Sequence, residues 1–345
     1  MKTIAIVGTG NIFETVHYPQ FSKYSDEYAI TAIVTTSEEG GRAKAQQYRI
    51  PHYYTSVETM LQERKPNIVV VCVPNKFHYE TVMQALRHGC HVLCEKPPAI
   101  NSEQAREMME LADERNLVLA YNLHHRHSAN TDFLKQQIDQ GKLGHIYNVK
   151  VNALRRRGVP GWGSFTNKDM TGGGPLIDIG VHMLDTALYL MGYPQVTSIM
   201  ASAYREIATK KNKGTLGSWN PDTFEVEDAV FAFLKFKNGA SLTLETSFAL
   251  NIQEKSVMNV WLRGSEAGAS VFPLAIFGDV EGELTDTEFP FLDERGNHEN
   301  SIKRFLARCE GKDAMIATAR EGCELQQILD GIYQSAERGE VVTYD

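Results

Sequence analysis

The sequence has no apolar run long enough to span a bilayer. Its first residues, MKTIAIVGTG, leave only five positions between Lys2 and Gly8, too few for the apolar core of a secretory signal. Cysteine is scarce, with five in 345 residues and no CxxC pair. An odd number of scattered thiols fits a reduced, cytoplasmic protein better than a disulfide framework or a zinc ribbon. No repeat of fixed period and no low-complexity tract occurs. Positive charge is not in excess: 35 Lys and Arg stand against 43 Asp and Glu, a formal charge of −8. That balance excludes a general nucleic-acid binder, and clusters such as Arg155–Arg157 and Lys210–Lys213 read as local solvated features.

The remaining composition, 42% hydrophobic and 23% charged, is that of a globular chain too long for one typical core. Over the first 120 or so residues, short apolar runs alternate with helical patterns: TIAIVG (3–8), YAITAIVT (28–35), NIVVVCVP (67–74), HVLCEK (91–96) and LVLAYN (117–122). Parallel strands joined by right-handed helical crossovers give this texture, so an α/β, doubly wound sheet of the Rossmann kind is expected over 1–122. After residue 122 longer alternating strands appear, with Asn238-Gly239 marking a hairpin. An α+β domain with a large, mostly antiparallel open sheet is expected over 123–345, its closing helices packing back toward the first domain. Such a sheet needs cover on its second face, which predicts a homodimer or homotetramer.

The first strand runs straight into GTGNIF. Glycines at 8 and 10 permit a tight turn and close backbone approach to a pyrophosphate at a helix N-terminus, so Gly8, Thr9, Gly10, Asn11 and Ile12 are dinucleotide-binding candidates. Phe13 stands where a third small residue is usual, which predicts a helix held further from its strand. At the end of the second strand, Thr35, Thr36 and Ser37 offer hydroxyls without a strand-tip carboxylate, and Arg42 follows. This favours the 2′-phosphate of NADP, with NAD as the alternative if Glu38 turns back to a ribose. A hydroxyl here also suits a helix N-cap. The fourth strand ends in CEKPP, placing Glu95 and Lys96 at the sheet edge where α/β ligands bind. In GGGPLIDIGVHMLDTALYL (172–190), Asp178, His182 and Asp185 are spaced by four and three, on one stripe of a predicted helix at the edge of its apolar face.

GTGNIF, VPNKFH (73–78), CEKPP and GGGPLIDIGVHMLD, in this order, resemble the Gfo/Idh/MocA oxidoreductases, the family of glucose–fructose oxidoreductase and inositol 2-dehydrogenase. The resemblance extends to VEDAVFAFLKFKNGA (226–240) and IYQSAERGEVV near the end of the chain. It implies that Val73, Pro74, Asn75 and His78 form the loop beneath the cofactor. It also implies that Lys96 contacts nicotinamide ribose and substrate hydroxyl, and that Asp178 and His182 meet the substrate. Trp162, in PGWG, falls where several members have a tryptophan near the nicotinamide. Thr35–Ser37 are similar to NADP-using members such as the anhydrofructose reductases.

The reaction expected is hydride transfer between nicotinamide and a secondary alcohol or ketone of a sugar, polyol or related cyclic compound. His182, an imidazole that titrates near neutrality, is the acid/base candidate. Lys96 would stabilise a developing alkoxide, and Asp178 would orient His182 or bind a substrate hydroxyl. Asp185 is expected to make a structural hydrogen bond. Asn122, His125 or Arg126, Arg155 and Trp162 are candidates for the substrate pocket. HHRH (124–127) has the composition of a metal cluster, but no second ligand set accompanies it in the sequence, so no metal is expected. Two rival classes share these features: a redox-silent dinucleotide or sugar-binding regulator, and a glycoside hydrolase that oxidises transiently with bound cofactor.

Overall fold

The computed structural model describes residues 1–292 and 296–344. The chain forms two compact units, Met1–Leu123 with His298–Gln326, and His124–Asn297 with Gln327–Asp345. In the first, strands β1 (Lys2–Val7), β2 (Tyr28–Val34), β3 (His52–Tyr54), β4 (Ile68–Val71), β5 (His91–Cys94) and β6 (Leu119–Tyr121) form a parallel sheet of order β3-β2-β1-β4-β5-β6. The order reverses between β1 and β4, the point at which ligands of open α/β sheets bind. Ile4, Ala5 and Ile6, like all four residues of β4, are fully buried, because helices cover both faces of a parallel sheet. One core cluster joins Ile4, Ile6, Ile68, Val70 and Leu93 to Ile302, Phe305 and Leu306 of the helix Asn297–Cys309. Residues 298–326 thus add to the first unit's core.

In the second unit, β7 (Ile146–Arg155) and β8 (Val196–Tyr204) precede a small two-stranded ribbon, β9 (Lys213–Gly214) with β10 (Gly217–Ser218). There follow β11 (Ala229–Phe236), β12 (Ser241–Ser247), β13 (Ser256–Gly264), β14 (Gly268–Ser270), β15 (Ala275–Val280), β16 (Glu283–Glu288) and β17 (Val342–Thr343). The nine-stranded sheet has the order β16-β15-β14-β13-β7-β12-β11-β8-β17, antiparallel except for the β7–β12 pair. Gly239, at φ +87°, makes the turn between β11 and β12 that Asn238-Gly239 predicts. Met200 and Phe233 pair across β8 and β11 yet stay 42% and 43% exposed, so this face is only partly covered within the chain.

The helix Val181–Met191 is buried almost all round, with His182, Met183, Leu184, Asp185 and Thr186 each at 8% exposure or less. Asp185 is fully enclosed, whereas Asp178, on the preceding turn, is half-buried. What makes burial of Asp185 tolerable is Arg126, itself fully enclosed on the 3₁₀ turn His124–His127. Arg126 donates through Nε (2.9 Å) and Nη2 to the two carboxylate oxygens, and Tyr193 Oη donates to the same group at 2.6 Å. The guanidinium also stacks on the rings of Tyr189 and Tyr193, at 5.0 and 5.5 Å.

Removing one partner of a buried, bidentate pair strands the other charge. Asp185→Ala should lower the free energy of unfolding by about 3–5 kcal/mol in urea titrations. The Arg126→Met/Asp185→Leu double variant should lose much less, because apolar groups of similar volume avoid the stranded charge. A single variant as stable as the wild type would show that the pair does not hold this unit together.

Candidate active-site residues

Four of the predicted cofactor segments follow adjacent strands at one edge of the six-stranded sheet. Gly8–Ile12 follow β1, Thr35–Arg42 follow β2, Val73–His78 follow β4, and Glu95–Lys96 follow β5. Gly8 has φ +93°, and a Cβ there would lie 2.5 Å from the Cys72 carbonyl oxygen, so both conformation and space demand glycine. At Gly10 the opposite holds: an added Cβ meets nothing within 4 Å, leaving open space over the helix start. An open backbone turn at a helix N-terminus on the switch-point edge fits a dinucleotide pyrophosphate.

Phe13 does not simply push its helix away. Residues Phe13–His17 form a π-helical turn, and the fully buried Phe13 ring packs on Tyr18 and edge-on against Tyr48, with centroids 5.8 and 5.1 Å apart. The widened turn also brings His17 inward. Its Nε2 lies 2.7 Å from Glu95 Oε1, which accepts from Asn122 Nδ2 at 2.8 Å. Asn122 Oδ1 in turn accepts from Ser301 Oγ at 3.1 Å, and His298 Nδ1 lies 3.3 Å from the amide nitrogen. Burial alone would raise the Glu95 carboxyl. The hydrogen bond and charge of His17, the Asn122 amide and the charge of Lys96 outweigh it and bring the group down to about 2.

Two expectations are corrected by this network. Asn122, expected at the substrate, is fully enclosed, with both ends of its amide engaged inside the first unit. Glu95, expected at the cofactor, spends its carboxylate on His17, Asn122 and the backbone N–H of Lys96 (3.3 Å). Both therefore brace the half-buried Lys96. His78, also expected at the cofactor, is wholly buried between the carbonyl oxygens of Pro97 (2.9 Å) and Val73 (3.0 Å). Burial lowers its pKa against the pull of the two carbonyls, and the ring lies between the Val73–Asn75 loop and the turn after Lys96. Pro74 is exposed and Val73 and Asn75 are half-buried on that loop. His17, His298 and Ser301 are the residues that sequence reasoning missed. No local signal marks them, because their partner lies in another strand's turn.

At the tip of β2 the helix-cap role is real. Ser37 Oγ accepts from Gly40 N at 3.1 Å and caps Glu38–Tyr48, while Thr35 Oγ1 donates to Ser37 O at 2.8 Å. Thr36 and Arg42 are exposed beside them.

In the second unit, Asp178 lies in a π-helical turn, Leu176–Gly180, that runs into the helix of His182. Gly180 lets this turn approach β12, where an added Cβ would sit 3.1 Å from Thr246 Oγ1. The two glycines before Pro175 are similarly placed: Gly173 faces the Tyr333 hydroxyl, and Gly174 N donates to both Glu227 carboxylate oxygens at 3.0 Å. Glu227, which accepts from Tyr333 Oη at 2.8 Å, has its pKa raised by burial. Asp178 Oδ2 lies 3.7 Å from Arg155 Nη1. Arg155, a substrate candidate, also donates to Gly158 O at 3.2 Å, and burial lowers its pKa against the pull of Asp178.

One side-chain bond holds the backbone of His182: Thr186 Oγ1 donates to its carbonyl at 2.9 Å. The rings of His124 and His125 lie 4.7 and 5.3 Å from that of His182, and one ring nitrogen of each falls within 4.8 Å of the others. The fold thus brings His182, distant in sequence, beside His124 and His125. Arg126 is excluded from a substrate pocket by its burial with Asp185. Trp162 is 52% exposed and lines an open pocket of about 330 Å³ with Gly161, Thr166, Trp219 and Asn220.

The network around Lys96 sets an acid limit. Glu95, held down to about 2, contributes stability that is complete above the ordinary carboxyl value of 4.5 and is lost as pH falls toward 2. Buried His78 and half-buried His298, whose pKa values are lowered by desolvation, add a loss that starts higher, because the unfolded chain takes up their protons below about 6.5. Urea midpoints measured from pH 7 to pH 3 should therefore decline in two stages, and Glu95→Gln should flatten the lower one. A lower stage unchanged in that variant would refute the assignment.

Residues 2–123 match a family profile described as an oxidoreductase family with an NAD-binding Rossmann fold, and residues 135–344 match its C-terminal alpha/beta domain. Over 336 residues the chain is 45% identical to the D-glucoside 3-dehydrogenase of Escherichia coli (strain K12), covering 97% of this chain and 95% of that protein. It is 28% identical over 300 residues to the 1,5-anhydro-D-fructose reductase of Ensifer adhaerens, covering 85% and 84%. Levoglucosan dehydrogenase, solved in complex with NADH and L-sorbose, superimposes over 100% of this chain and 99% of that one with a TM-score of 0.85 at 18% identity, a likeness of fold. With both domain profiles matched in order and a relative of this similarity along nearly its whole length, the chain belongs to the Gfo/Idh/MocA family of oxidoreductases.

Proposed function

We propose that the protein oxidises a ring secondary alcohol of a D-glucoside or closely related sugar, reversibly, with NADP(H) preferred and NAD(H) as the alternative cofactor. The observation that carries this reading is the 45% identity to a D-glucoside 3-dehydrogenase along 97% of the chain, with Lys96 and His182 both present. A nicotinamide held by the predicted cofactor segments would supply the hydride acceptor in one direction and the hydride donor in the other. His182 takes the hydroxyl proton as the C–H bond breaks, so that proton and hydride leave together and a ketone results. The Lys96 ammonium donates to the same oxygen and stabilises the charge that builds on it. Asp178, with Arg155 beside it, accepts from a neighbouring sugar hydroxyl and fixes the ring. Trp162 offers an apolar face to the sugar's C–H groups.

Gly8, Thr9, Gly10, Asn11 and Ile12 hold the pyrophosphate, and Val73, Pro74 and Asn75 the nicotinamide side. The NADP preference rests on Thr36, Ser37 and Arg42. Ser37 accepts in its cap and keeps its hydroxyl hydrogen for a phosphate oxygen, and exposed Arg42 adds a cation. Glu38 is the carboxylate that an NAD-binding mode would use.

We place the protein in the cytoplasm. Among the described residues all five cysteines are free thiols, and no helix is long and apolar enough to cross a membrane. The sheet face carrying Met200 and Phe233 is the surface we assign to a second copy, in a homodimer or homotetramer.

With methyl D-glucosides as substrates, His182→Ala and Lys96→Ala should each lower kcat/KM by about 10²–10⁴-fold. Cofactor affinity, read from nicotinamide fluorescence, should change far less. Turnover near the wild-type value in either variant would remove the role given to that residue. In the same fluorescence titration NADPH should bind more tightly than NADH, and Arg42→Ala should weaken NADPH selectively. Equal weakening of both, or tighter NADH binding in the wild type, would transfer ribose recognition to Glu38.

A further inference from the structure

The three imidazoles of the second unit go beyond what hydride transfer requires. His124 and His125 are consecutive residues of a 3₁₀ turn, and His182 stands in the first turn of another helix. Their ring centroids are 4.3, 4.7 and 5.3 Å apart, and one nitrogen from each ring lies within 4.8 Å of the other two. One nitrogen of each ring thus falls in the same small volume. Neutral imidazole is the ligand of zinc and its transition-metal neighbours, whereas magnesium and calcium require oxygen donors.

From these rings we infer that His124, His125 and His182 form a three-histidine site for a divalent ion of the zinc class, with a fourth position open to water. A tetrahedral ion with nitrogen ligands at about 2.0–2.1 Å needs donor atoms about 3.3 Å apart. Donor atoms that lie within 4.8 Å of one another must therefore close by at most about 1.5 Å. The backbone is fixed: the buried Arg126–Asp185 pair joins the turn to the helix, and the carbonyls of His125 and His182 accept from Thr131 Oγ1 (3.0 Å) and Thr186 Oγ1 (2.9 Å). His182 is buried while His124 and His125 are half-buried, which leaves one open side for entry.

The consequence rests on the acid/base role proposed for His182. An ion on its ring nitrogen occupies the lone pair that accepts the substrate proton, so the site makes zinc an inhibitor of the oxidation. Metal binding and catalysis then exclude one another at a single side chain.

The test uses the full-length protein after chelator treatment. Calorimetric titration with zinc sulfate, without substrate or cofactor, should give about one ion per chain, and His124→Gln should weaken it at least tenfold. Cobalt(II) in place of zinc should give the intense visible absorption of a tetrahedral site in the wild type and lose it in the variant. His124→Gln should keep turnover in chelator and need at least tenfold more zinc for half-inhibition. Absence of stoichiometric binding, or equal affinity in wild type and variant, overturns the site and leaves the role of His182 to the His182→Ala experiment. Stoichiometric, His124-dependent binding without loss of turnover overturns the inhibition, and with it the proton-accepting role of His182.

Discussion

The ion pair between Arg126 and Asp185 is the contact on which the second unit's chemistry depends. Both side chains are fully enclosed, so each carries a desolvation cost that only the other, with the hydroxyl of Tyr193, offsets. Apolar residues would hold a turn against a helix at lower cost, but they would tolerate sliding. A bidentate guanidinium–carboxylate pair fixes one register. That register decides whether the histidines on either side of the pair stay at 4.3–5.3 Å or drift apart. Asp185 lies three residues beyond His182, and Arg126 follows His125 directly, so the lock sits beside the groups it positions.

The first unit uses the same device at its own functional edge. Lys96 is half-buried, while the groups around its backbone are buried and engaged: Glu95 with His17 and Asn122, and His78 between two carbonyls. A lysine after a strand end has four rotatable bonds and little to hold it. Anchoring the peptide on both sides leaves only the side chain to adjust, and the low-lying Glu95 carboxyl keeps a negative charge beside the ammonium. Exposed chemistry supported by enclosed polar partners accounts for why Glu95, Asn122 and His78 read in sequence as ligands.

Much of the architecture was legible. Continuous apolar runs marked the buried parallel strands, alternation marked β8, β11 and β12, and Asn238-Gly239 marked its hairpin. Elements without a pattern escaped: β3 and β14 span three residues each, and β16 is mostly exposed and acidic, so neither burial nor alternation identifies them. Among candidate residues, Gly8, Gly10, Lys96, Asp178 and His182 stood out because their spacing or position relative to a strand carried the signal. His17, His298, Glu227 and Tyr333 carried none, since each acts through a partner distant in sequence. The meeting of His182 with His124 and His125 belongs to the same class.

The helix-wheel argument for Asp178, His182 and Asp185 shows where sequence arithmetic fails and why. It assumes one uninterrupted α-helix, but Leu176–Gly180 is a π turn, which takes up extra chain and rotates Asp178 away from the stripe. The same departure occurs at Phe13–His17, behind the glycine turn. Such turns forfeit regular hydrogen-bond geometry and persist only where packing overdetermines them. Each has that support, Phe13 between Tyr18 and Tyr48 in one case and Gly180 against Thr246 in the other. In both, the widened turn redirects a polar side chain: His17 toward Glu95, and Asp178 toward Arg155. The periodicity of a sequence reports the regular part of a helix. His17 and Asp178 lie where that regularity is broken, so a spacing rule finds the segment of Asp178 and misjudges its direction.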